Sequence, residues 1–358
     1  MAVNLADKYS PKVAERFAHK AYSAGIAGNA YDFDGVKSIK VYSIDTVPIG
    51  NYSRSGASRY GTPADLTDSF QVMQMTQDKA FTYIIDKGDD KEQLNIKKAN
   101  RALAREVDER VNPMLDKYNF AKWIAESGQA VIASSTITKS NALDLIQDAT
   151  EILDENACPD SGRTLVVTSN FFKLLKQNDK FQYTDKLAQD SMVRGKVGEL
   201  DGMAIRVVPN TYLPANVVGF VCHKSALLAP MKLKEYKIHT DPPGINGNLT
   251  EGRILHDAFV LDAKANAIVA ICASSVTKAG LATAPTLSSH TLTVTVASGE
   301  EVWYTLDDTD PRCSGTAVKK DAAGTYTATT SAGDVVKFVA IDSTKVLGYY
   351  RLADKVDT

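Results

Sequence analysis

The chain has 358 residues, 44% hydrophobic and 23% charged, which is typical of a folded protein with two or three domains and excludes disorder over most of its length. Its 41 basic and 43 acidic residues leave a net charge of −2, so no general positive excess indicates tight nucleic-acid binding. Residues 1–30 lack the apolar core of a signal peptide, and no later run approaches the ~20 apolar residues that span a bilayer. Four widely spaced cysteines without a CxxC pair argue against a zinc site and a disulfide framework.

The N-terminal segment predicts a short helix over 10–24. Ser10 is a candidate N-cap, Pro11 fits the first helical position, and Phe17 and Tyr22 lie among its apolar residues. Glycines at 25 and 28 end the pattern. We therefore expect an arm rather than a domain core, with Phe17 and Tyr22 as candidate contacts to a neighbouring copy.

Two β-rich stretches follow, at 37–47 and 69–86, separated by a polar segment rich in Gly, Ser and Arg. An isolated two-stranded ribbon is marginal in water, so this one is expected to lie either on its own body or on a neighbouring copy. Arg54 and Arg59 near its tip either pair with acidic groups of a neighbour or are solvated in a loop.

The strongest helical pattern covers 91–127, with apolar residues every three or four positions and Pro113 expected to kink or interrupt the helix. A second helix is predicted over 140–157 with Ser140 as its cap. An apolar strand at 164–168 then leads directly into a short helix near Ser169, a mixed α/β pattern. Further strands are predicted at the end of this region. They cover 217–222, 253–262 and 267–273.

The composition changes near residue 274. Residues 274–285 are small and polar and end in Pro, as in a flexible linker, and the sequence after them is a series of short alternating strands with Gly and Asp turns. Residues 281–358 therefore predict a small immunoglobulin-like β-sandwich. Trp303 and Tyr304 form either a surface aromatic patch for a sugar ring or, through strand alternation, part of its core.

Residues 194–214, RGKVGELDGMAIRVVPNTYLP, join a Gly-rich hairpin to a polar turn and a final Leu-Pro. In this order the segment resembles the signature of tailed-phage major capsid proteins of the Hong Kong 97 fold. Residues 302–311, VWYTLDDTDP, resemble a motif of chitobiase C-terminal-like modules, with Asp308 in place of the usual Gly. The arm, the ribbon and the long helix occur in the chain order of the capsid fold.

The resemblance implies an α+β capsid fold with an N-terminal arm, an extended loop, a spine helix, and peripheral and axial domains, followed by a C-terminal all-β sandwich. The expected boundaries are 1–36 for the arm, 37–88 for the extended loop, 89–275 for the capsid core and 281–358 for the sandwich. Covalent Lys to Asn cross-linking, known in some members, is not expected because 48–68 contains no Lys.

No P-loop, dinucleotide, HExxH or GxSxG motif occurs, and the five histidines lie in separate predicted elements. We therefore expect a structural protein with no catalytic, cofactor or metal residues. The resemblance implies assembly in the host cytoplasm into hexamers and pentamers of a virion shell. Its implied partners are portal and scaffold or decoration proteins and packaged double-stranded DNA, bound non-specifically, without a membrane. The alternative is a carbohydrate-binding or adhesive protein acting through its C-terminal β-domain.

Overall fold

A computed structural model describes residues 21–28, 38–44, 52–56, 59–60, 68–87, 99–178 and 199–357. The helices are α1 Ala99–Glu106, α2 Asn112–Ala125, α3 Ala142–Glu155 and α4 Ser169–Lys176. The strands up to residue 260 are β1 Ser38–Ile44, β2 Asp68–Gln74, β3 Gln77–Asp86, β4 Gln129–Ile132, β5 Arg163–Thr168, β6 Glu199–Leu200, β7 Met203–Val208, β8 Val217–His223, β9 Leu227–Leu228, β10 Met231–Thr240, β11 Gly247–His256 and β12 Phe259–Val260. The later ones are β13 Ile268–Cys272, β14 Thr286–Ser288, β15 Thr291–Val296, β16 Glu301–Thr305, β17 Val318–Lys320, β18 Gly324–Thr329, β19 Val335–Ile341, β20 Tyr349–Arg351 and β21 Lys355–Val356.

The body is built on a six-stranded mixed sheet in the order β4-β13-β8-β5-β7-β6. Alternate residues of β5 supply both faces: Val166 joins the apolar cluster that contains Phe120 and Trp123 of α2, whereas Leu165 and Val167 face the cluster that contains α3 and α4. The sheet is therefore covered by helices on both sides, which is why its central strands read as nearly continuous apolar runs.

The predicted strand over 69–86 is two strands. Residues of β2 pair antiparallel with β1 in a two-stranded ribbon, whereas β3 pairs with β11 in a separate sheet of order β10-β11-β3. The break falls at 75–76, where Thr76 bonds through its amide and hydroxyl to the carboxylate of Asp257. The prediction that 69–86 is the second strand of the ribbon is thus wrong for Gln77–Asp86, because a side chain 181 positions away sets the break. The boundary 37–88 for the extended loop stays a prediction.

The long helix is interrupted where Pro113 predicts it. Between α1 and α2, Val107–Val111 is π-helical, and the Asn112 amide donates to the Val107 carbonyl five residues back. Proline has no amide hydrogen and crowds the carbonyl four residues earlier, and the wider turn relieves both problems. The chain thus stays helical through the proline.

Several predicted boundaries are wrong. Residues 21–24 are not helical, so the first helix does not reach Ala24, and its remaining residues lie outside the described part of the chain. Asn141 rather than Ser140 occupies the N-cap position of α3. The predicted strand 253–262 is two strands, β11 and β12, and β10 was missed. The short helix after β5 is confirmed, with the Thr168 hydroxyl accepting from the Phe171 amide at 3.3 Å.

The C-terminal region contains two antiparallel sheets, β14-β15-β18 and β17-β16-β19-β20. Leu292 and Val294 of the first sheet meet Val302 and Phe338 of the second in one apolar cluster. Residues 274–285 do not form the free linker that their composition predicts. The Ala279 amide donates to the Leu347 carbonyl at 2.8 Å, the Leu347 amide donates back to Thr277, and Leu347 is buried in the cluster on α2.

Candidate assembly surface

The ribbon, defined as β1 and β2, has one face packed on the body and one face exposed to solvent. On its inner face Met73, together with Met75 just beyond β2, is fully buried against Leu228, Phe259 and Leu261 of the body. Strand alternation places the other set of side chains outward. The base of the ribbon is therefore seated on its own subunit.

The outer face of the ribbon is apolar and exposed. Tyr42 is 63% exposed, and Phe70, directly opposite it in the register, is 58% exposed. Val72, opposite Lys40, is 52% exposed, and the Lys40 ammonium lies 5.1 Å from the centroid of the Phe70 ring. Apolar side chains grouped on one face of a two-stranded ribbon are typical of an interaction surface.

The tip of the ribbon presents aromatic and basic side chains. Tyr52 and Tyr60 are in edge contact, with ring centroids 4.9 Å apart, and the Ser53 amide donates to the Arg59 carbonyl at 2.9 Å. Arg54 and Arg59 are exposed, and the Arg59 Nε atom donates to the Gly56 carbonyl at 3.4 Å. Both arginines are thus on the surface, and their predicted role in contacts between copies stays a prediction.

Residues 21–28 are anchored on α2 by a buried carboxylate. Asp116, 1% exposed, accepts from the Tyr22 amide at 2.8 Å, the Ser23 amide at 2.9 Å and the Ser23 hydroxyl at 2.6 Å. Arg206 of β7 donates to the Ala24 carbonyl at 2.7 Å. These bonds hold Tyr22, Ser23 and Ala24 against α2 and β7.

The sequence interpretation missed Asp116, although one signal was present: a carboxylate between Leu115 and Tyr118 on the apolar face of a helix. The Tyr22 ring packs edge-on against Tyr212 of its own subunit at 5.4 Å, and burial raises the pKa of Tyr22. Phe17 lies outside the described residues. The inter-subunit role expected of both residues stays a prediction.

Trp303 and Tyr304 do not form one surface patch. Tyr304 is 3% exposed and packs in the cluster between the two C-terminal sheets, with burial raising its pKa. Trp303 points the other way, where the Lys319 ammonium lies 3.7 Å from its ring centroid and Tyr349 contacts it edge-on. The core alternative holds for Tyr304, because neighbouring residues of a strand face opposite sides.

The described ranges contain neither a metal-binding cluster nor a helix that could span a membrane. There, no group of three or more His, Cys, Asp or Glu side chains is arranged to hold a metal ion. No helix of the same part is long and apolar enough to cross a bilayer. The Asp307 carboxylate accepts from Thr309 and Thr316, so it stabilises the turn after β16.

Solved structures of phage proteins share this fold. No family model and no curated protein matches the sequence. A solved structure from Mycobacterium phage Che8 matches with a TM-score of 0.61 and 16% identity over 75% of this chain and 98% of that one. The capsid structure of Cyanophage P-SCSP1u matches with a TM-score of 0.61 and 14% identity over 75% of this chain and 93% of that one. The mature capsid of bacteriophage PhiM1 matches with a TM-score of 0.60 and 13% identity over 76% of this chain and 93% of that one. Over three quarters of its length the chain thus has the α+β fold of tailed-phage capsid proteins of the Hong Kong 97 type.

Proposed function

We propose that this chain is the major capsid protein of a tailed phage and that copies of it assemble into the icosahedral shell of the head. One observation carries the proposal: the fold matches more than nine tenths of the length of the solved phage chains, including ones described as capsids. Its role is structural rather than enzymatic, and its place is the virion.

The outer face of the ribbon supplies the proposed contact between copies. Apolar side chains that are exposed in one subunit gain burial energy when a neighbour covers them, and protein interfaces of standard size bury about 1,200 to 2,000 Å² in total. Arg54, Arg59, Phe17 and Tyr22 are proposed to add contacts around it. Hexamers and pentamers, a portal, scaffold or decoration proteins and packaged DNA are the partners that such a role requires.

The proposal is tested on the purified full chain by size-exclusion chromatography and electron microscopy. Rings, shells or tubes are the expected products, and deleting 48–68 is expected to leave a folded monomer. A chain that stays strictly monomeric at every concentration contradicts the proposal. A deletion variant that still assembles removes the ribbon tip from the mechanism.

We further infer that 281–358 form an immunoglobulin-like domain, after an arm over 1–36, an extended loop over 37–88 and a capsid core over 89–275. The two sheets with a shared apolar cluster support this division. The quarter of the chain outside the matches is also close in size to 281–358. We place this domain on the outside of the shell, and labelling of intact particles with a membrane-impermeant lysine reagent tests that position.

The carbohydrate-binding alternative is weaker. A sugar ring stacks on an open aromatic face, whereas Trp303 is covered by Lys319 and Tyr304 is buried. Glycan-array binding by a monomeric wild-type chain, lost in Trp303→Ala, is the result that would favour it.

A further inference from the structure

Three separate parts of the subunit meet on one short piece of backbone, Val260 to Asp262, here called the anchor segment. From the ribbon, the Gln71 side-chain amide donates to the Val260 carbonyl at 2.8 Å, and the Asp262 amide donates to the Gln71 side-chain oxygen at 3.1 Å. From the end of α2, the Glu126 carboxylate accepts from the Val260 amide at 3.4 Å. The anchor segment therefore ties the ribbon to the body.

The C-terminal region reaches the same segment through one guanidinium. Arg312, whose side chain is 3% exposed, donates from Nε and Nη2 to Asp262 Oδ1 at 3.1 and 2.8 Å and from Nη1 to the Glu126 carbonyl at 2.7 Å. Its guanidinium carbon also lies 4.6 Å from the centroid of the Tyr349 ring. All three donor nitrogens of Arg312 thus have acceptors in the body. The planar guanidinium holds these donors at fixed directions, whereas a lysine ammonium has a single nitrogen and could not reach all of the acceptors.

Burial makes this pairing costly to remove. Desolvation raises the pKa of Asp262 and Arg312 opposes that rise, so the carboxylate depends on the guanidinium for its charged form. Taking away one partner of a buried pair leaves the other charge uncompensated. Tyr42 and Phe70 of the ribbon also line a cavity of about 100 Å³ together with Asp262, Arg312 and Cys313.

We propose that the C-terminal region is a brace for the ribbon: Arg312, acting through the anchor segment, holds the base of the ribbon at one angle to the body. Arg312 is a positioning residue, since it reaches the ribbon through Asp262 and Gln71. The brace itself is a property of one subunit, whereas its consequence for shell assembly rests on the proposed function.

Hydrogen exchange of the soluble, unassembled subunit tests the brace. Arg312→Met is expected to raise amide exchange in β2 and the anchor segment about tenfold, because the tie that opposes local opening is lost. Arg351→Met is the matched control, since Arg351 lies in the same region and pairs with the exposed Asp354 rather than with the body. A folded Arg312→Met variant whose β2 exchanges at the wild-type rate overturns the proposal.

A double-mutant cycle keeps the test decisive if Arg312→Met fails to fold. Arg312→Lys keeps the positive charge but loses the planar guanidinium and its three donor nitrogens. Gln71→Leu removes the hydrogen bonds between the ribbon and the anchor segment. Both wild-type side chains bond to Asp262, so the two changes in unfolding midpoint are expected to be non-additive. Strict additivity overturns the brace. If the wild type never assembles, the proposed function is wrong. Hydrogen exchange and the double-mutant cycle still test whether Arg312 holds the ribbon, because both use the single subunit.

Discussion

His256, the last residue of β11, is a buried titratable side chain that contacts α2. Within the described part of the chain neither of its ring nitrogens has a hydrogen-bond partner, and the ring meets Tyr118 edge-on at 5.2 Å. The Tyr118 hydroxyl donates to Asp257 instead. Burial is the main cause that lowers the pKa of His256, with Lys79 lowering it further and Asp257 opposing.

A lowered histidine pKa makes stability depend on pH with a defined sign. Below the ordinary value of 6.5 the unfolded chain binds the proton that the folded chain resists, so stability falls as the pH falls through that window. His256→Phe keeps the ring contact and is expected to stay within about 1 kcal/mol of wild type at pH 7.5, because it leaves no polar atom unpaired.

Urea unfolding at pH 7.5 and 5.5 measures this prediction. The wild type should lose more stability between the two values than His256→Phe does. His239→Gln, on the exposed β10, is the control and should follow the wild type. Equal losses in wild type and His256→Phe would contradict the assignment.

Asp116 is one of the residues that hold 21–28 on the body, together with Arg206. Asp116→Ala leaves two amides and a hydroxyl without their acceptor and is expected to lower the free energy of unfolding by about 2 kcal/mol. It should also expose 21–28 to limited proteolysis. Asp108→Ala, at an exposed position of the same helical stretch, is the control and should change neither readout.

The β6–β7 hairpin depends on its two turn residues. Asp201 has φ +49° and Gly202 φ +73°, the signs required by a type I′ turn, which suits the twist of paired strands. This Asp-Gly pair lies in the segment whose glycines first indicated a hairpin. Gly202 has the positive φ that glycine adopts without strain, whereas Gly195 and Gly198 lie outside the described residues.

Gly202→Ala is therefore expected to cost about 1 kcal/mol, since a Cβ is strained at that φ even though the surrounding space is open. Gly280→Ala is the matched control: its surroundings are equally open, and its φ does not lie in the positive range. Thermal unfolding of both variants measures the difference. Equal midpoints would show that the turn does not depend on Gly202.

The exposed face of the ribbon matters at the scale of the whole molecule. Tyr42→Ser combined with Phe70→Ser removes apolar area most of which the monomer leaves exposed, so the unfolding midpoint of the monomer should change little while assembly is lost. Val356→Ser, at a residue 56% exposed in the C-terminal region, is the control and should assemble. Sedimentation and electron microscopy report both, and shells from the double variant would remove this face from the proposed interface.

Local patterns predicted the elements whose stability is decided within a few neighbouring residues. The apolar spacing of α3, the step from β5 into α4 capped by Thr168, and the interruption before Pro113 all follow from periodicity, capping and the missing amide of proline. Their chain order also indicated the capsid fold. The reason is that apolar residues recur at every second position on the buried face of a strand and at every third or fourth position on the buried face of a helix.

Only the tertiary structure decided the features that depend on partners distant in sequence. Asp257 separates β2 from β3, the carboxylate of Asp116 receives Ser23, and Arg312 crosses from the C-terminal region to Asp262. The composition of 274–285 indicated a loose linker, yet backbone hydrogen bonds between Leu347 and the residues Thr277 and Ala279 hold it in place. A hydrogen bond between residues 50 to 181 positions apart leaves no periodic signal, so the sequence determined which elements form and the folded chain determined how they are joined.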